Sequence, residues 1–291
     1  MTRASPETET DGAPKRRARA PRLFRQRSLL VGGAIILVMA LCALLSPVMA
    51  PYDPAEMHPD HTLEGPSAQF WLGTDMFGRD QFSRILHGAR ISFMVGLISV
   101  SIALLLGGVL GLIAAYSRGW VDNLIMRVMD ILFAFPFLLL TIAIMAAFGT
   151  SLANAMIAIG IVYTPSFARV VRGAALGVME LGYVEASQAL GTSSARMMFR
   201  HVLPNIQGPI IVQTTLSLAF AILAEAALSF LGLGAQPPMP SWGLMLNEGR
   251  DFFNQAPWLA IFPGVAITLA VLGFNLLGDG LRDALDPRLR D

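Results

Sequence analysis

One acid, Glu225, stands deep in an otherwise apolar run of this chain. A carboxylate in lipid is costly and normally faces a cavity or a partner. Glu225 therefore either lines a path for a polar cargo, meeting for example a free amine, or is protonated or hydrogen-bonded in helix packing. Asp130 is a second candidate for such a path, but Arg127 lies three residues before it, and an i,i+3 pair accounts for it without further function. Arg169 and Arg172 suit the end of a span, their stems in apolar surroundings and their heads at the interface. His58 and His61, with Asp53, Glu56 and Asp60, offer donor types for a divalent ion. They fall in a proline-rich stretch with no helical face to converge them, so no metal site is expected. Cys42 is the only cysteine, which excludes a disulfide framework, a cysteine metal cluster and a CxxC redox pair. Of the 21 basic residues only Lys15 is a lysine, and the string GxxxxGK[ST] does not occur, so the chain is not a P-loop ATPase by itself. No HExxH string or Ser/His pair sits in an apolar run, and His87 and His201 lie at edges. The basic residues form no folded patch suited to nucleic acid.

The elements that hold these residues are set by charge shortage. The 291 residues are 54% hydrophobic and 14% charged, against about 25% charged in soluble domains. Residues 28–52, 91–117, 131–168 and 252–278 carry no charge at all. About 20 apolar residues in a helix cross a bilayer core of roughly 30 Å. The pattern predicts an all-α, multi-spanning membrane protein with six transmembrane helices, near 29–49, 91–115, 124–147, 152–171, 209–232 and 258–278. The third and fourth share one uncharged stretch and turn at Gly149-Thr150-Ser151. Residues 1–28, basic and rich in proline and alanine, read as a disordered tail. A cleaved signal is disfavoured, because the apolar run after it is of spanning length and is closed by Pro47 and Pro51. Residues 29–88 comprise the first helix and an acidic loop, with a short helix near 78–90 running into the next span. Residues 89–280 form a core of five helices, and 281–291 a second tail. With the N-terminus inside, the inner segments hold seventeen basic residues and the outer ones four. The positive-inside rule then places both termini in the cytoplasm, in the cell membrane. Trp71, Trp120, Trp242 and Trp258 fall at span edges, as interfacial anchors do. Gly107, Gly108 and Gly111 permit close helix packing.

The polar segment 172–208 is too long for a turn and too regular for a linker. Good helix formers end at Gly191, Thr192 or Ser193 caps a second short helix, and Pro204 stops it. Met197, Met198, Phe199, Val202 and Leu203 are expected to give this bent pair an adaptable apolar surface for a partner's groove. The segment resembles the EAA loop of ABC importer permeases, E-A-A-x3-G-x9-I-x-L-P. Glu185, Ala186, Gly191, Leu203 and Pro204 match at full spacing, Ser187 replaces the second alanine, and His201 stands at the isoleucine position. The strings around Leu72-Gly73-Thr74-Asp75, Gly78-Arg79-Asp80, Ser83-Arg84, Pro240-Ser241-Trp242-Gly243 and Gly278-Asp279-Gly280-Leu281-Arg282 resemble the oligopeptide and dipeptide (nickel) branch. The long loop after the first span resembles that branch's C-type subunit.

The resemblance implies a type I importer fold, no catalysis in this chain, and a loop that couples to separate ATPase subunits. Glu185, Ala186, Ser187, Gly191, Met198, Phe199, His201, Leu203 and Pro204 would form that coupling surface, with Glu225 and Asp130 as candidates for the substrate path. It also implies a B-type permease homologue, two ABC ATPases carrying ATP and Mg, an extracytoplasmic peptide-binding protein, and a peptide substrate, with oligopeptide favoured over dipeptide, glutathione or nickel. An ion-driven secondary transporter would show several intramembrane carboxylates, where this chain has one clear candidate.

Overall fold

The computed structural model describes residues 22–285, all helix, turn and loop, with no β-strand among them beyond one isolated bridge, Thr74 to Asp80. Lys15, most of the basic stretch 1–28, and Arg288 and Arg290 lie outside the described residues. Helix α1 runs Arg22–Met49, so residues 22–28 extend the first span as helix instead of forming tail. α2 is Gln81–Ser117, started by Asp80, whose side chain accepts from Ser83 N. The expected short helix near 78–90 and the second span are thus one rod of 37 residues.

α3 (Gly119–Ala134) and α4 (Phe137–Phe148) occupy the place of the expected third span. They are bent by 96° at Phe135-Pro136. Pro136 has no N–H for the helix ladder, and its ring drives the preceding residue out of the helical region; Phe135 is extended at φ −87°, ψ 139°. At about 1.5 Å per residue neither piece spans 30 Å alone. Among the described residues, five helices are long and apolar enough to cross a membrane, and six spans result only if this bent pair counts as one.

α5 (Leu152–Met179) continues eight residues past the expected end at 171, and its N-cap Ser151 accepts from Asn154 N. After the 182–205 segment come α8 (Gln207–Phe230), α9 (Trp242–Arg250) and α10 (Trp258–Leu285), with α6 and α7 lying within that segment. α9 was not foreseen, since at nine residues it leaves little periodic trace. Its first residue, Trp242, is 1% exposed and donates from Nε1 to Ile85 O at 3.1 Å. It is a core residue pressed against Gly88 and not an interfacial anchor.

The centre of the bundle is the α2–α5 pair. A Cβ on Gly107 would lie 2.4 Å from Thr164 O, and one on Gly111 2.5 Å from Ala168 O, so the two backbones touch where these glycines recur at i and i+4. α4 and α8 close one side of this core around Met145, Ile159 and Phe167. α1, α9 and α10 pack on the other side around Ile222, Trp242 and Phe274. The outer face of α1 shows Leu37, Val38, Leu44 and Val48 to the surroundings, the surface a lipid-facing helix needs.

Candidate functional site

Two helical pieces build the segment 182–205. α6 is Gly182–Ala189, and α7 is Ser194–Arg196, continuing as a π-helical turn Met197–Val202 and a 3-10 turn Leu203–Asn205. Between the pieces Gly191 takes φ +79°, a left-handed conformation that costs other residues about 1 kcal/mol or more. Across this bend Ser187 Oγ meets Thr192 Oγ1 at 2.9 Å. Pro204 offers no N–H to the carbonyl four residues back, and the helix ends there. Asn205 Nδ2 donates to Tyr183 Oη at 3.1 Å and to His201 O at 2.7 Å, tying the second piece back to the first.

The segment has two faces. Val184, Met197, Met198, Val202 and Ile206 are buried against Ala115 of α2 and Val171, Ala175 and Met179 of α5. Met197, Met198 and Val202, expected on the outward apolar surface, are therefore anchors. Helical geometry turns them inward, because α5 runs on to Met179 and offers them a wall. The outward apolar residues are Leu181, Tyr183, Leu190 at 88% exposure and Phe199 at 69%. Glu185, Ala186, Gly191 and Pro204 are also exposed, and Ser187, His201 and Leu203 half-buried. Tyr116 Oη, one residue before the end of α2, bonds Ser194 Oγ.

Glu225 is wholly buried. Ser229 Oγ donates to its Oε1 at 2.7 Å, Ser92 Oγ to its Oε2 at 3.3 Å, and the Ser241 side chain is a third partner. Ser229 Oγ also accepts from Ala235 N at 3.0 Å. The carboxylate knots α2, α8 and the start of α9 together. It has no exposed surface in this structure, and its oxygens are taken up by hydrogen bonds within the helix packing.

Asp130 does not pair with Arg127. Its Oδ1 accepts from Arg169 Nη2 at 2.7 Å, with both side chains about half exposed. Arg172 grips Asp122 with two bonds, from Nε at 2.6 Å and Nη2 at 2.5 Å. Neither arginine snorkels; each clips α5 to α3. His61 Nδ1 meets Glu64 Oε2 at 2.6 Å, and His58 packs against Tyr52 and Phe70 at ring distances of 5.1 and 5.4 Å. Both histidines serve the packing of the loop.

A second polar cluster escaped the sequence reading. Arg79 Nε and Arg84 Nη1 donate to Asp75 Oδ2 at 2.6 and 2.7 Å, and their Nη2 atoms to Glu248 Oε2 at 3.1 and 2.6 Å. Arg84 is 1% exposed. Two arginines and two carboxylates balance, and together they lock the loop before α2 onto α9. The strings 72–84 were visible in the sequence, but Glu248 lies 164 positions beyond Arg84.

The comparisons agree with this architecture. Residues 107–291 match the family model described as binding-protein-dependent transport system inner membrane component, and residues 16–66 match the N-terminal TM domain of oligopeptide transport permease C. A dipeptide transport system permease protein, DppC of Alkalihalophilus pseudofirmus, is 49% identical over 98% of this chain and 94% of its own length. The glutathione transport system permease GsiD of Pectobacterium atrosepticum is 48% identical, covering 92% of this chain and 90% of its own. A di/tripeptide permease DppC of Pseudomonas aeruginosa is 49% identical, with 92% and 91% covered. Among solved structures, a chain of the MetNI methionine ABC transporter in an inward-facing conformation superposes with a TM-score of 0.58 at 17% identity, over 70% of this chain and 97% of that one, which shows the fold. The chain belongs to the family of binding-protein-dependent transport system inner membrane components, and within it to the oligopeptide and dipeptide ABC permeases.

Proposed function

We propose that this chain forms one half of the membrane path of an ATP-driven importer of short peptides, with both termini cytoplasmic and the 182–205 segment docked on a separate ATPase subunit. The observation that carries the reading is the two-faced build of that segment. Its buried face is fixed to α2 and α5, and its exposed face presents Leu190 and Phe199 on either side of the Gly191 bend. Large apolar side chains at such exposure fit a partner's groove better than water. A rigid knob rooted on two long helices passes a partner's movement into them, as a two-state membrane core requires. ATP and Mg belong to the ATPase subunits. A homologous B-type permease completes the path, and an extracytoplasmic binding protein delivers cargo. The named relatives favour cargo of two or three residues over longer oligopeptides, and glutathione is itself a modified tripeptide.

Leu190→Asp with Phe199→Asp removes the two most exposed apolar side chains of the segment while leaving every buried anchor in place. Co-expressed with the other subunits, this variant is expected to co-purify with the partner permease but without ATPase. ATPase retained at the wild-type stoichiometry would show that the segment is not the docking knob.

A further inference from the structure

One face of the bundle is unlike the rest. Asp130 and Arg169 sit on it with 57% and 44% of their side chains exposed, at the two ends of the uncharged stretch 131–168. Charges so exposed are costly against hydrocarbon, so this face opens to water or to another subunit. The break at Phe135-Pro136 lies beside them, and a helix break is tolerated at membrane depth only where protein or water meets the freed backbone groups. Next to the pair is a hollow of about 260 Å³ whose lining includes Phe133, Phe135, Phe137, Tyr163, Ser166 and Phe220, drawn from α3, the break, α4, α5 and α8. Phe133 belongs to both, since the Arg169 guanidinium lies 4.3 Å over its ring.

We propose that the Asp130–Arg169 pair and this hollow form a substrate-contacting station of the path, where a peptide's terminal carboxylate takes Arg169, its terminal amine takes Asp130, and an apolar side chain enters the hollow. The proposal rests on reading the chain as a peptide permease. A peptide with free ends carries the two charges that the pair already matches, whatever its sequence. When the station is empty, Asp130 and Arg169 neutralise each other, so no lone charge is left in the membrane. An exposed ion pair is worth only about 0–1 kcal/mol, so exchanging it for contacts to the peptide ends has little net cost in either direction. The hollow is smaller than the roughly 300–1,000 Å³ of a typical ligand pocket, enough to hold a side chain but not to trap a whole peptide. A path must release what it binds, and a partial grip suits that.

The test uses the complete permease–ATPase complex in nanodiscs, with Cys42→Ser and the hollow residue Ser166→Cys, and reads the rate at which a maleimide labels the introduced thiol; Val162→Cys is the second reporter. Excess Ala-Phe dipeptide is expected to slow labelling by about fivefold, as at about four times a dissociation constant, and its C-terminal amide to protect far less. Arg169→Gln should abolish the difference between the two ligands. Arg172→Gln, which breaks the neighbouring clip between the same helices, should preserve it. Equal protection by acid and amide, absence of protection, or loss of the difference in Arg172→Gln as well would each overturn the station. Proteoliposome uptake separates the two levels: a complex that takes up peptide without protection defeats only the station, whereas one that takes up no peptide defeats the functional reading.

Discussion

Glu225 brings two carboxylate oxygens into the buried interior of the bundle, and the hydroxyls of Ser92, Ser229 and Ser241 make that tolerable. Removing the carboxylate would strand hydroxyls whose desolvation costs about 1–3 kcal/mol each when unsatisfied, whereas an amide keeps an acceptor and adds a donor for them. Glu225→Leu is therefore expected to lower the thermal midpoint of the purified complex by several degrees, and Glu225→Gln to shift it much less and to leave uptake near wild type. Uptake lost in Glu225→Gln at an unchanged midpoint would return this residue to the path. The position of Glu225 is legible in the sequence, and so is Ser229 at i+4, but Ser92 lies 133 positions away and no spacing announces it. Asp130 makes the same point. The local rule favours Arg127, yet the structure chooses Arg169, 39 positions on, because α5 is packed closely enough on α3 for its arginine to reach across.

At the level of elements, the close α2–α5 contact gives a contrast within three glycines. Gly107 and Gly111 leave no room for a Cβ, while the nearest atom to one on Gly108 is Leu104 Cδ1 at 3.9 Å. Overpacking against backbone costs about 1–3 kcal/mol. Gly107→Ala and Gly111→Ala should each reduce the yield of folded complex and its thermal midpoint, and Gly108→Ala should change neither; three equal results would refute the packing role. Small residues in a span are readable as packing residues, but which of them touch depends on a helix rotation that hydrophobicity alone does not fix when a helix is apolar all round. The same uniformity hid the α3–α4 break. Pro136 was in plain view, yet uncharged residues on both sides let the stretch pass as one span. α9 and its salt-bridged lock were invisible because their partners come from opposite ends of the chain. The 182–205 segment was far more legible, since glycine, a cap and proline at fixed spacing determine a bent helical pair locally. Which of its apolar residues point outward depended on where α5 ends.

For the whole molecule, the proposed orientation, with both termini cytoplasmic, rests on the arginine asymmetry of seventeen against four. Tyr183 and Trp71, 50% and 58% exposed, lie in segments assigned to opposite sides. In a Cys42→Ser background, a membrane-impermeant maleimide applied to whole cells is expected to label Trp71→Cys and to spare Tyr183→Cys until the membrane is opened; the reverse pattern would invert the topology. One continuous helix runs between the two ends of the bundle. α2, at 37 residues, is about 55 Å long by the helical rise, well beyond a bilayer core of roughly 30 Å. Near its first turn Arg84 is held by Glu248 of α9, and near its last Tyr116 holds Ser194 of the knob. A rod pinned at both ends is a lever: a tilt of about 5° around its midpoint carries each end some 2 Å in opposite directions, by the same helical rise. In the proposed coupling, movement of the 182–205 segment on one side is expected to displace the salt-bridged loop on the other through α2 itself.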